Sequence, residues 1–572
     1  MSQKISNQEI IEAFRLTGLL MELHDENPFK LRGIQNAVFN LEKINSELSG
    51  LSIEALENLE GIGKSLAGKI YEMCCSGKFS DLESLVEKTP KGVIEMLGIK
   101  GIGPKKVRTL WKDLNITDIE SLLTACNEDK VAALKGFGTK TQENIKQSLL
   151  FRNQHKDFFL YAEAEPFALN IEKVIREAGF KISLSGKVRR YEEVVDSLEY
   201  IAGTEKKDSL FLFLSQLDFL EQDKVKSGPF AWRGKDLSSG LKIEIRIFPE
   251  KRFGSALYIH SAAPKHLSFK LKDGKSLLKY LSDHDFASEK EIYEQLGWQY
   301  IPAELREGYD EILLAQENNM PNLIRYEDLK GVLHNHCTYS DGEHSLQQMA
   351  LYCKSLGFQY LGISDHSKTA FYAGGLSEQK IEDQHREIDM LNKELAPFKI
   401  LKGIESDILN DGSLDYDDSV LATFDFIVAS IHSNLKMTKE KATERLIKAI
   451  ENPFTTILGH STGRLLLKRE GYPIDHKKVI EACAANNVII EINANPRRLD
   501  MEWKWVRYAL EKGVMISINP DAHEMHGYHD MHYGVLVGRK AGLTPEMTFN
   551  ALSLEQVEKH FFSKKSRLVK HA

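Results

Sequence analysis

Between residues 331 and 523, seven short apolar runs recur with helical segments between them. They are GVLHNH (331–336), YLGISDH (360–366), KILKGIESD (399–407), DFIVASIHS (425–433), TTILGHS (455–461), VIIEINAN (488–495) and VMISINPDAH (514–523). Intervening stretches such as HSLQQMALYCKSLG (344–357) and KKVIEACAANN (477–487) carry helical periodicity. Continuous apolar strands alternating with helices predict a parallel sheet buried on both faces, and seven such units predict a closed α/β barrel. Functional groups of such barrels gather at the C-terminal ends of the strands.

Chemically distinctive residues fall at those ends. His334 and His336 close the first run, His366 the second, Glu405 the third, His432 the fourth and His460 the fifth. Asp521 and His523 follow the seventh, and Asp341 lies in the loop after the first. In an extended backbone a His-x-His pair turns both imidazoles to one side, which suits a metal. Histidine is unevenly spread, fourteen of 19 lying in the last 242 residues. A single histidine at a strand end is ordinarily a satisfied polar residue, but nine converging groups do not fit that account. Six imidazoles and three carboxylates are enough for three ions if carboxylates bridge, and the nitrogen and oxygen mixture suits zinc, manganese or iron better than calcium.

The order His-x-His, Asp, His, Glu, His, His, Asp-x-His resembles the PHP (polymerase and histidinol phosphatase) family at all nine positions. That resemblance implies a distorted (β/α)7 barrel acting as a phosphoesterase, whose ions acidify water and hold the phosphate oxygens. It places His334, His336, Glu405 and Asp521 on one ion, Glu405 and His432 on a second, and Asp341, His366, His460 and His523 on a third. Glu405 and Asp521 are the expected catalytic carboxylates, and Arg464 and Arg497 are expected to grip phosphate, with pairing to a nearby acid as the alternative. His526, His529 and His532 depart from the family pattern and are expected at the surface or rim.

The first third of the chain repeats another device. LENLEGIGKSLAGKI (57–70), MLGIKGIGPKKVRTL (96–110) and ALKGFGTKTQENI (133–145) each combine an apolar helix end, a Gly-apolar-Gly turn and a helix bearing Lys or Arg. Such a turn brings backbone amides and a positive helix end close to a phosphate. The pattern resembles the helix-hairpin-helix motif, with Gly61, Gly63 and Lys64, then Gly101, Gly103, Lys105 and Lys106, and more weakly Gly136 and Gly138, as DNA-binding residues. These turns hold the sugar-phosphate backbone and read no bases, so the expected partner is DNA, gapped, nicked or with a single-stranded 3′ end, bound without sequence preference. Upstream, ENPFKLRGIQNAVFNLE (26–42) looks like the opening helical subdomain of a family X DNA polymerase. Lys30 and Arg32 there are candidates for a 5′ phosphate, or a solvated helix face.

The same resemblance continues through SGKVRRYEEVVDSLEYIAG (185–203), which is similar to the family's palm. Nucleotidyl transfer needs carboxylates that hold two divalent ions. Here Ser197 and Glu199 stand at two aspartate positions, Asp196 one place early, and Glu244 at the third. Serine cannot replace a charged magnesium ligand, and the longer glutamate displaces its oxygen. A degenerate polymerase site follows, with Mg2+ needed only if polymerase activity persists.

The expected organisation is multidomain. An all-α helix-hairpin-helix region spans 1–150, an α+β palm/thumb-like region 155–320 and the PHP barrel 330–572. No run of about 18 apolar residues suggests a membrane span, 42% hydrophobic and 28% charged content describes a soluble protein, and a cytoplasmic location is expected. Six cysteines without a CxxC pair predict reduced thiols, and the net charge of −8 leaves local cation placement to decide nucleic-acid binding. The whole order is similar to bacterial family X DNA polymerases with a 3′–5′ exonuclease domain, which implies DNA repair and Mn2+-dependent trimming, with AP endonuclease action compatible. The rival readings are an active gap-filling polymerase with exonuclease, a histidinol-phosphatase-like small-molecule phosphatase and a noncatalytic DNA-end scaffold.

Overall fold

Serine and aspartate caps start several helices of the first 154 residues. Ser6 and Glu9 form a reciprocal capping box on Asn7–Leu23, and Asp118 accepts from the Ser121 amide to start Ile119–Asn127. The computed structural model describes residues 5–569 other than 42, 43, 45, 46, 60 and 100. Two compact units divide between Lys156 and Asp157. The first is all-helical, and its helices bury one core that includes Phe14, Leu56, Ile70, Val107 and Leu149.

Within the second unit, a five-stranded mixed sheet comes first. Its order is Lys181–Leu184, Ser197–Gly203, Lys242–Phe248, Ala231–Asp236 and Leu220–Gln222, with Ser197–Gly203 and Lys242–Phe248 the parallel pair. The helix Tyr161–Glu177 covers one face, and a helical stretch from Phe253–His260 to Glu311–Gln316 follows. This is the α+β region expected from the palm resemblance.

The barrel strands are Gly331–Val332, Tyr360–Ile363, Lys399–Asp407, Phe426–Ser430, Ile457–Leu458, Ile489–Asn493 and Ile516–Asn519. They pair in sequence order, all parallel. Nearly every strand residue is buried, as the continuous apolar runs require. Most strands stop short of the runs seen in sequence, so the histidines sit just past the strand ends, whereas Glu405 lies within its strand, paired with Val428. The ring is nearly closed: Asn335 bridges Ala522 in parallel and the His336 amide donates to the Ala522 carbonyl at 2.8 Å. At the opposite end the buried Asn550 side chain donates to the Gly331 and Ile518 carbonyls and accepts from the Ile518 amide.

The expected boundary between residues 320 and 330 does not separate two compact units. Leu536 of the barrel packs into the core of the five-stranded sheet, while Arg539 pairs with Glu304 at 2.6 Å and the buried Lys540 with Glu307 at 2.6 Å. Removing Glu307 would leave the desolvated Lys540 ammonium uncompensated, which is strongly destabilising. Among the described residues, which include all six cysteines, no disulfide forms. Among the described residues no helix is long and apolar enough to cross a membrane.

Candidate metal centre

Glu405, at the end of the third and longest barrel strand, is the hub. Its Oε1 lies 3.2 Å from His334 Nε2, 3.1 Å from His432 Nε2 and 3.0 Å from His460 Nε2; its Oε2 lies 2.9 Å from His366 Nδ1 and 3.6 Å from His336 Nε2. Asp521 Oδ1 sits 3.0 Å from His336 Nε2 and 3.5 Å from His334 Nε2. Asp341 Oδ1 lies 3.4 Å from His523 Nε2 and 3.7 Å from His366 Nε2. The structure thus brings all nine sequence-derived candidates to one rim.

Among the described residues three sets have ligand atoms within 4.8 Å of one another: His334, His336, Glu405 and Asp521; His366, Glu405 and His432; and His336, Asp341, His366 and His523. The first set is the expected one, whereas His366 joins the second, His336 joins the third, and His460 stands in none of the three. That imidazole donates toward Glu405 beside His432, rather than standing with Asp341, because the fifth strand end faces the third.

The donors fit metal ions. His334 Nε2, His366 Nδ1 and Glu405 Oε2 are buried and make no hydrogen bond, although opposite groups lie within 3.2 Å. Atoms so close yet misaligned with one another are disposed toward a shared cation. The electrostatics agree. Burial works against charge on His334, but Glu491, Glu405 and Asp521 outweigh it and raise its pKa well above the ordinary value. For His432, burial is likewise overcome by Glu405 and Asp407, which lift it to about 10, and for His523 by Asp341 and Asp521, which lift it to about 9. His336 goes the other way, to about 3, through burial and the neighbouring His523 and His366. Despite burial, the surrounding imidazoles hold Glu405 and Asp521 well below the carboxylate range. Such a site demands positive charge, and divalent ions would compete with protons for it.

Supporting groups escape a search for strand-end histidines. The buried Glu491 accepts from His334 Nδ1 at 2.7 Å and from the His460 amide at 3.1 Å. Asp407 accepts from His432 Nδ1. Such carboxylate partners fix an imidazole's tautomer and orientation. A signal existed: Glu491 is the one acid inside VIIEINAN, and Asp407 stands two residues beyond Glu405 on the same strand.

Of the two arginines, Arg464 takes the alternative of pairing with an acid. Arg464 reaches Glu193 of the palm-like region at 2.7 Å and the Arg498 carbonyl at 2.9 Å, so its guanidinium is spent in the seam between sheet and barrel. Arg497 is exposed. It is Arg498, passed over in the sequence, whose Nε lies 3.5 Å from Asp521 Oδ2. His526 and His529 are exposed, and His532 pairs with Glu165 at 3.0 Å.

In the five-stranded sheet, Glu199 and Glu244 stand opposite each other in register. Arginines pair with both acids: Arg246 bonds Glu199 at 2.7 Å and also Glu244, while Arg233 bonds Glu244 at 2.7 Å. Lys187 holds Asp196 at 2.8 Å. Ser197 lies at the strand start opposite Lys242. The motif's own arginines are committed too, Arg189 to Glu289 and Arg190 to Glu307.

In the helical unit, Gly61 (φ +82°) and Gly101 (φ +94°) make left-handed turns that a side chain would strain. Gly63 and Gly103 then cap Lys64–Ser76 and Pro104–Leu114 with extended backbone and no side-chain cap. The third turn differs: Phe137 is its cap and Gly138 is itself left-handed at +70°. Lys64, Lys105 and Lys106 follow the first two caps. A cavity of about 650 Å³ joins Gly61, Gly63 and Lys64 with Lys30, Asn40 and Lys69. Arg32 is exposed.

Comparisons with known proteins agree with this architecture. A helix-hairpin-helix domain model matches residues 5–79, a SAM-like helix-hairpin-helix tandem 93–149 and the PHP domain 333–495. A probable phosphatase of Thermoanaerobacter sp. (strain X514) is 28% identical over 191 residues, 32% of this chain and 75% of that protein. One of Acetivibrio thermocellus is 27% identical over 249 residues, 41% of this chain and 96% of that protein. The DNA polymerase/3′-5′ exonuclease PolX of Bacillus subtilis (strain 168) is 35% identical over 570 residues, covering 96% of this chain and 98% of its own. With helical turns, palm-like sheet and histidine-rimmed barrel in one order along nearly its full length, the chain belongs to the bacterial PolX family of DNA polymerase/3′–5′ exonucleases.

Proposed function

We propose that this chain is a DNA-repair nuclease: its barrel hydrolyses phosphodiesters at DNA 3′ ends with the help of divalent metal ions, and its helical unit holds gapped or nicked DNA without reading sequence. The observation that carries the reading is the gathering of nine side chains at one rim, five imidazoles among them contacting Glu405, with buried ligand atoms that make no hydrogen bond. The three donor sets support three ions, and their mixed nitrogen and oxygen character favours manganese or zinc. Such ions would supply charge to the phosphodiester oxygens and acidify a water.

The chain's own residues do the rest. Glu491 and Asp407 lock the imidazoles of His334 and His432. Burial of His334, His336 and Glu405 keeps bulk water from the inner side, while the more exposed Asp341 and His523 mark the side open to substrate. Arg498 is placed to steady a phosphate oxygen near Asp521.

The palm-like sheet is read as a binding module without polymerase activity, since its acids are neutralised by Arg246, Arg233 and Lys187. A manganese-supplemented assay on labelled gapped duplex, with and without dNTPs, tests both parts. Shortening without extension is expected, abolished by His336→Ala or Asp521→Ala with little loss of DNA binding. Extension lost in Glu199→Ala would overturn the palm reading, and turnover of histidinol phosphate but not DNA would overturn the nuclease.

A further inference from the structure

A loop beside the metal centre carries two aromatic rings that no core claims. After His366 the chain makes a closed excursion to Leu376, whose amide returns to the His366 carbonyl at 2.9 Å. At its crest the short helix Phe371–Ala373 leaves Phe371 85% and Tyr372 64% exposed. Exposure of single apolar residues is ordinary, but two adjacent large rings at the mouth of a site are not.

This loop is fixed, not slack. The Ser367 amide donates to the Glu405 carbonyl at 3.0 Å, and Thr369 donates through its hydroxyl to Asp407 and through its amide to Asp415. Asp407 is the same carboxylate that orients His432. On the other flank Lys380 donates to both the Tyr339 and Gly374 carbonyls, tying the crest to the segment that leads into Asp341. The rings therefore stand between the anchors of two candidate metal sets. Burial and the carboxylates of Asp407, Glu405 and Asp341 push the Tyr372 phenol up to about 12, so its hydroxyl is neutral.

We infer that Phe371 and Tyr372 form a stacking platform that grips the 3′-terminal nucleobases of a single-stranded DNA end and sets its last phosphodiester over the cluster. Every base has a π-face, so aromatic stacking holds an end without choosing a sequence. The rings meet each other edge-on, centroids 6.1 Å apart and planes 77° apart, and their exposure leaves ring surface open to a base. The inference rests on the nuclease reading and adds to it the part of the substrate that is recognised.

The test uses the full-length protein with Mn2+ and single-stranded oligonucleotides ending either in a normal nucleotide or in an abasic residue. Phe371→Ala and Tyr372→Ala should each raise KM on the normal end roughly tenfold, with kcat little changed, while Phe371→Trp and Tyr372→Phe restore it. The abasic end should be indifferent to both alanines. Independently, a 3′-terminal 2-aminopurine should be quenched on binding to the His336→Ala protein and stay bright when Phe371→Ala and Tyr372→Ala are added. Equal losses on both ends, or no loss on either, would overturn the platform alone. No shortening by the unaltered protein would overturn the nuclease reading and the platform with it.

Discussion

A carboxylate contacted by five imidazoles cannot be relaxed without consequence, and each supporting residue around Glu405 makes its own prediction. Glu491→Gln keeps the shape of the group that accepts from His334 Nδ1 but removes its charge. Metal affinity measured by chelator competition should fall about 10- to 100-fold, with the far-ultraviolet spectrum unchanged; an unaltered affinity would show that Glu491 only fills space. A second prediction concerns a group outside the cluster. Burial, then Glu524, raises Asp530 from the ordinary 3.8 to about 7. Because the folded value is the higher one, its contribution to stability is fully present below about pH 4 and is lost as pH rises through about 7. Asp530→Asn should therefore raise the melting temperature of the second unit at pH 8 and have no effect near pH 4; the same gain at both would disprove the assignment. At this scale the nine candidates were legible because histidine and acid at strand ends stand out against apolar runs. Arg464 and Arg498 were not, since which of several arginines turns inward depends on loop paths that no periodicity encodes.

At the level of elements, the glycine turns separate strain from contact. A Cβ at Gly63 or Gly103 would meet nothing within 4 Å, and both residues have φ near −80°. Gly63→Val and Gly103→Val should fold normally yet block the approach of a phosphate to the helix start. DNA affinity by fluorescence anisotropy should drop roughly tenfold for a lost charged hydrogen bond, while hydrolysis of a small phosphodiester stays intact. Parallel loss of both would make the turns structural. All three turns were readable from Gly-apolar-Gly, the third as the weakest, and its geometry does differ: Gly136-Phe-Gly138 places a second left-handed residue where the others have an extended cap. The palm shows a limit to such reading. Substituted acids were visible in sequence, whereas their neutralisation by Arg246 and Arg233 needs the register of two strands 45 residues apart, Glu199 against Glu244. Gly186, left-handed at φ +61°, lies against Glu199 so closely that a Cβ would fall 2.2 Å from its carboxylate oxygen, so this acid is boxed in as well as paired.

The molecule as a whole divides its work between two compact units, 1–156 and 157–572, each with its own core. The seam inside the larger unit was invisible in sequence, because Lys540 to Glu307 and Arg464 to Glu193 join residues more than two hundred positions apart. Those pairs bury charge between the palm-like sheet and the barrel, so cutting the chain near residue 325 would leave Lys540 without its partner and should yield insoluble barrel. Residues 157–572 keep both of those pairs together with their own cores. A chain comprising residues 157–572 should therefore fold, bind metal and hydrolyse a small phosphodiester with an unchanged kcat. What it should lose is the electrostatic grip of the helical unit, where Lys64, Lys105 and Lys106 stand at the two regular turns. Each phosphate neutralised by a cation contributes close to one unit to the slope of log affinity against log salt on duplex, and somewhat less on single strands. DNA binding by the shortened chain should be weaker at low salt and flatter across salt, whereas loss of the barrel's own contacts would lower affinity at every salt concentration without flattening it. An unchanged slope would move the principal DNA contacts out of the helical unit and into the palm-like sheet or the barrel rim.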